Sequence, residues 1–129
     1  MQNNFNWIDQ ATVLAIHDAQ IAEHGGNPGV RDLGLLESAL ARPQNAAGYS
    51  EMDIPDLAAL YALGVIQNHP FVDGNKRVGI VLLDLFLEDN GYELVTDDAT
   101  LVKVALAVAA GEMSDEEFKA WVRACAVAL

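Results

Sequence analysis

The run Val78-Gly-Ile-Val-Leu-Leu-Asp-Leu-Phe-Leu87 constrains the fold most. It carries apolar side chains on almost every face of the helix it would form. A helix of that kind belongs in the middle of a fold, with other elements packed around it. The chain has 129 residues, enough for one domain with one core, and we read residues 1–129 as a single domain. Its hydrophobic content of 52% supports a buried globule and excludes a disordered chain.

The rest of the pattern is helical as well. A first helix is expected over about Ile8 to His24, stopped by Gly25-Gly26. The stretch Gly25-Gly-Asn-Pro-Gly29 reads as a flexible loop. A second helix follows Asp32, a good N-cap, and should end before Pro43, leaving Gln44 to Asp53 as loop. Pro55 suits the first turn of a third helix that reaches about Asn68. The fourth helix spans about Asn75 to Asn90, and Tyr92 to Val95 is briefly extended. A fifth runs from about Asp98 to Ala110, and Ser114 with Glu117 forms a capping box that starts a sixth. No strand of useful length is expected. The fold class is all-α: a compact bundle of about six helices around the fourth.

Just before the apolar run stand His69-Pro-Phe-Val-Asp-Gly-Asn-Lys-Arg77. Gly74 and Asn75 suit a tight turn, since both visit positive φ more readily than other residues. A turn that opens a helix points free backbone N–H groups outward, and the helix dipole favours an anion there. Phosphate binds in such places. Lys76 and Arg77 add two cations where the helix itself would disfavour them. An anionic ligand would compensate them.

Charge sharpens this point. The chain carries 7 Lys and Arg against 19 Asp and Glu, a net charge of −12. That balance argues against direct nucleic-acid binding. Two of so few cations sit side by side at a phosphate-shaped turn. Much of the acid lies between Glu88 and Glu117, either a solvated face or a surface for a basic partner. Cys125 is the one cysteine, so no internal disulfide forms, and it reads as a packed or idle thiol. No apolar run approaches the roughly 18–20 residues that span a bilayer. The N-terminus Met-Gln-Asn-Asn-Phe-Asn lacks signal-peptide character, so the expected location is the cytoplasm, with no membrane partner.

The nine-residue string resembles the death-on-curing (Doc) toxins, a branch of the Fic superfamily. The Fic pattern is His-x-Phe-x-Asp/Glu-Gly-Asn-Gly-Arg-x-x-Arg. His69, Phe71, Asp73, Gly74, Asn75 and Arg77 match it. Lys76 replaces the second Gly, which is the Doc variant, and Ile80 stands where the second Arg would fall. Gly29 to Pro43 looks like the upstream block of the family, and Leu87-Glu-Asp-Asn-Gly-Tyr92 like its downstream block. The resemblance extends over nearly the whole chain and implies the helical Fic fold. It also implies a kinase that uses ATP, whose γ-phosphate faces a protein hydroxyl. The usual target is a threonine of elongation factor Tu, and the usual partner is a small antitoxin whose C-terminal segment covers the site.

The residues carry matching chemistry. His69 titrates near neutrality and can take a proton from a hydroxyl, though a histidine there can also simply cap a helix end. Asp73 suits Mg²⁺, which takes one or two protein carboxylates and leaves the rest to water and phosphate. Its alternative role is N-cap of the fourth helix. Gly74, Asn75, Lys76 and Arg77 are read as the phosphate-binding residues, with Arg77 also catalytic. Phe71 should anchor the loop in the core. Arg31 is either a contact for substrate or phosphate, or an ordinary solvated side chain. Asp84, within the apolar run, either pairs with a cation or lies on a narrow exposed strip. His17 and His24 read as surface or packing residues, and no zinc site is expected. Two rival functions remain: AMP transfer of the Fic type, and a non-catalytic module that only binds an antitoxin.

Overall fold

A computed structural model describes residues 5–129. The reading of Met1 to Asn4 as part of a leaderless N-terminus lies outside the described residues. Six helices follow in order: α1 (Gln10–His24), α2 (Leu33–Tyr49), α3 (Ile54–Asn68), α4 (Asn75–Asp89), α5 (Asp98–Ala109) and α6 (Asp115–Cys125). Two three-residue strands, β1 (Tyr92–Leu94) and β2 (Ala126–Ala128), pair antiparallel with Tyr92 opposite Ala128. The brief extension after α4 therefore has a partner. The chain leaves α6 directly into β2, a strand too short and too alanine-rich to show in the sequence. Among the described residues no helix is long and apolar enough to cross a membrane.

Local chemistry sets the helix starts. Asp9, Asp32, Asp53 and Asp97 each accept a backbone N–H from three residues downstream, at 2.7–3.0 Å. Ser114 and Glu117 close the expected capping box at the start of α6. Each cap satisfies a donor that the first turn of a helix leaves free. α4 is different: its N-cap is Gly74, with no side-chain cap.

α2 corrects the expectation that a helix must end before Pro43. It continues through Pro43 to Tyr49. A proline inside a helix costs about 3 kcal/mol through a lost hydrogen bond and a ring clash. Here the ring is buried, and Ala46, one turn on, is buried too. The helix that holds it packs along α3. At that contact Gly64 of α3 lies so close that a Cβ on it would stand 3.0 Å from the Ala39 carbonyl.

α3 and α4 share the centre. α4 packs on α1, α3, α5 and β1, as a central helix should. α3 is the more completely buried of the two, with α2, α4, α5 and α6 around it. Ile80 and Val81 of α4, both half-buried, line a cleft. Tyr61 of α3 is fully buried against Phe86, and its hydroxyl accepts the Ile8 N–H at 3.0 Å. Burial raises the pKa of that phenol. Asp84 falls on an exposed strip of α4, where partial burial and the nearby Glu93 raise the pKa of its carboxyl.

Candidate active site

The motif loop spans the gap between the C-terminus of α3 and the N-terminus of α4. His69 ends α3 in the left-handed region, φ 52° and ψ 54°. It is the one non-glycine residue with positive φ among the described residues. That conformation is uncommon for a side chain with a Cβ and is held only where its surroundings fix it. Arg31 supplies the fixing. Its Nε donates to the His69 carbonyl at 2.7 Å and its Nη2 to the Asn68 carbonyl at 3.0 Å. Arg31 thus caps the last carbonyls of α3 and is no free solvated side chain; it is not among the residues that line the cleft.

The backbone of the Gly25–Asp32 loop runs beside the motif. The Arg31 and Asp32 N–H groups donate to the Pro70 carbonyl at 2.7 and 3.0 Å, and Val72 N–H donates to Gly29 O at 3.1 Å. The stretch read as a flexible loop, Gly25 to Gly29, is itself tied to the motif at Gly29 and through Asn27 N–H on Asp73. Phe71 is fully buried, as expected of an anchor.

Asn75 shows how the turn is locked. Its side chain is 3% exposed, and its Oδ1 accepts Phe71 N–H at 2.9 Å. Its Nδ2 donates to the Phe71 carbonyl at 3.0 Å. The Asn75 side chain is thus directed inward, and only its backbone N–H is left for a ligand. Gly74 takes φ 82°, a left-handed conformation that glycine adopts without strain.

Asp73 is exposed. Its Oδ1 accepts Gly74 N–H at 3.0 Å and its Oδ2 accepts Asn27 N–H at 3.3 Å. It does not cap α4, so the alternative reading of this carboxylate is set aside. Lys76 and Arg77 are exposed as well. Arg42, Lys119 and Arg123 pair with acidic residues. Among the described residues Lys76 and Arg77 have no carboxylate within ion-pair distance.

His69, Asp73, Gly74, Asn75, Lys76 and Arg77 all line one cleft of about 580 Å³. That volume falls within the range of small-molecule sites. The far wall comes from α5, with Leu101, Val102, Ala105 and Leu106. Val102 and Leu106, one turn apart, are 58% and 51% exposed. Sequence reasoning missed this wall, although an apolar pair at helical spacing on the acidic part of the chain was the available signal. His17, read as a surface or packing residue, packs beneath the loop with Nε2 2.9 Å from the Asp73 carbonyl. The cleft thus joins the cations of α4 to apolar side chains of α5, with Asp73 and Asp98 also on its lining. It suits a ligand with a phosphate tail and a flat apolar body.

Known proteins resemble this chain over much of its length. The family model described as the Fic/DOC family matches residues 7–87, from just before α1 through most of α4. The protein kinase Doc of Escherichia phage P1 is 35% identical over 108 residues, covering 83% of this chain and 85% of that protein. The toxin Doc of Mycolicibacterium smegmatis is 43% identical over 94 residues, 70% of this chain and 69% of that protein. The protein adenylyltransferase Fic of Drosophila ananassae is 37% identical over 65 residues, 50% of this chain but 13% of that protein. The chain belongs to the Fic/DOC family.

Proposed function

We propose that this chain is a Doc-type toxin that transfers the γ-phosphate of ATP to a serine or threonine hydroxyl of a translation factor. The observation that carries the reading is the uncapped start of α4. N–H groups of the first turn, and two cations with no ion-pair partner among the described residues, meet His69 and Asp73 there, on the rim of one cleft. Phosphoryl transfer asks a protein mainly for positioning and charge compensation. Lys76, Arg77 and the first-turn N–H groups hold the phosphates. His69 accepts the proton of the attacking hydroxyl. His69 lines the cleft, and Arg31 holds its backbone carbonyl. The apolar wall of α5 suits the nucleobase.

The donor set fits Mg²⁺. Among the described residues no three His, Cys, Asp or Glu side chains cluster to cage a metal. Asp73 is one exposed carboxylate with lone pairs to spare, which suits an ion that keeps its waters and binds chiefly through phosphates. Asp73 would hold it, and the ion would neutralise charge on the transferring group. The names of two relatives, a protein kinase and a toxin, support the reading. By family resemblance the target is elongation factor Tu in the cytoplasm. By the same resemblance the partner is an antitoxin whose C-terminal segment covers the cleft.

AMP transfer, the activity named for the Drosophila relative, is the second reading. Ile80 lines the cleft where the Fic pattern has its second arginine, which counts against it. A module that only binds an antitoxin would have no use for His69 and Asp73 on one cleft. Expression in bacteria tests the toxin reading. The intact chain should stop growth by blocking translation, and His69→Ala should abolish the arrest while remaining folded. Removing a general base typically costs about 10²–10⁴-fold in rate. Undiminished arrest by folded His69→Ala would refute the role of His69.

A further inference from the structure

The motif loop leans on a side chain outside it. His17 is buried in α1, at 2% exposure. Its ring stacks on Phe71, with centroids 3.9 Å apart and planes within 7°. A Cβ on Gly74 would stand 3.8 Å from His17 Cδ2, so the same ring forms the floor of the turn. Packing alone would be met by phenylalanine or leucine, without the cost of burying ring nitrogens. The difference lies at Nε2, which is 2.9 Å from the Asp73 carbonyl oxygen. A carbonyl only accepts, so Nε2 carries the hydrogen and donates.

That bond completes a frame around Asp73. Gly74 and Asn27 N–H groups orient the carboxylate oxygens. His17 holds the peptide from which the side chain springs. Two of these donors come from the α1 and Gly25–Asp32 region, and His17 is the one side chain among the three.

We propose that His17 is a positioning residue, whose Nε2–H fixes the Asp73 peptide so that the carboxylate meets the divalent cation of the reaction. The assignment rests on the metal-dependent phosphoryl-transfer reading above. His17 touches neither nucleotide nor metal in this scheme. It acts through Asp73, as the hydrogen-bond partners of metal ligands commonly do.

The test uses the full chain with Mn²⁺ as the metal probe and a non-hydrolysable ATP analogue. Free Mn²⁺ is counted by electron paramagnetic resonance. Wild type should bind Mn²⁺, and Asp73→Asn should lose it. His17→Phe keeps the aromatic stack and removes the donor. It should bind Mn²⁺ roughly tenfold more weakly at near-unchanged melting temperature, in line with losses seen on removing partners of metal ligands. His17→Gln restores a donor near the Nε2 position without the ring and should recover most of the affinity, whereas His17→Met should not. Folded His17→Phe with wild-type affinity overturns the assignment. If His17→Phe fails to fold, equal affinity in the Gln and Met variants overturns it, and tighter binding by Gln supports it. Wild type that takes up no Mn²⁺, or Asp73→Asn that binds it normally, overturns the metal reading itself, and the role of His17 falls with it.

Discussion

Two side chains at the motif have opposite tasks. Asn75 closes on the Phe71 backbone with both ends of its amide and makes the turn. Asp73, two residues earlier, stays exposed with its oxygens held by N–H groups. This division defines what Asp73→Asn should do. The cap of α4 does not depend on Asp73, so the melting temperature should change little. Titration calorimetry should instead show Mg-ATP affinity falling, because an amide is a poor ligand for a hard cation. Unchanged affinity and activity would deny Asp73 its metal. The candidates His69, Asp73, Gly74, Asn75, Lys76 and Arg77 were legible in the sequence because they are contiguous and open a helix. Arg31 was not, because an arginine in a glycine-rich loop gives no sign that it will reach the end of another helix. His17 stayed hidden for a like reason: it lies 56 residues from the carbonyl it binds.

The helices were legible where local signals decide them. The Asp32 cap, Pro55, the Ser114–Glu117 box and glycine stops placed starts and ends to within a few residues. α2 failed because Pro43 is a local signal that tertiary packing overrode. β2 failed because three residues of Ala and Val pair only once β1 is beside them. The α2–α3 contact at Gly64 makes its own prediction. A methyl at Gly64 would meet the Ala39 carbonyl at 3.0 Å and its Cα at 3.1 Å, both backbone atoms that cannot swing aside. Gly64→Ala should therefore lower stability by about 1–3 kcal/mol through overpacking, offset by up to about 1 kcal/mol of better helix propensity. Urea unfolding measures it. A gain in stability would mean that α2 and α3 separate freely.

Across the fold, ion pairs make stability depend on pH. Burial works to raise the pKa of Asp53, but hydrogen bonds from Arg123 and the Asp56 backbone prevail and hold it below the usual carboxylate value. Asp115 is likewise lowered against burial, by hydrogen bonds from Gln67 and Arg42. Arg123 binds both Asp53 and Asp56, tying α6 to the start of α3. A carboxyl with a lowered folded pKa binds protons more readily when unfolded. Its contribution is therefore present above the unfolded pKa, near 4, and is lost as pH falls through the folded one. Asp84 has the opposite sign, since burial and Glu93 raise its pKa and its ionised form opposes folding. Urea midpoints should fall from pH 6 to pH 3. Asp84→Asn should raise stability at pH 7 by less than about 1 kcal/mol, given the solvent around that strip. No gain at pH 7 would show that the carboxylate is solvated without penalty. The central claim concerns which bond of ATP breaks, and two separately labelled samples of ATP decide it. Incubated with the protein, Mg²⁺ and a bacterial lysate, γ-labelled ATP should label a protein band and α-labelled ATP should not. Lys76→Gly should weaken the γ signal roughly ten- to hundredfold, as expected for losing a charged hydrogen-bond donor. It should bring no α signal, since position 80 is still Ile80. Label from the α position on a target of the unmodified protein would contradict γ-phosphoryl transfer and establish AMP transfer in its place.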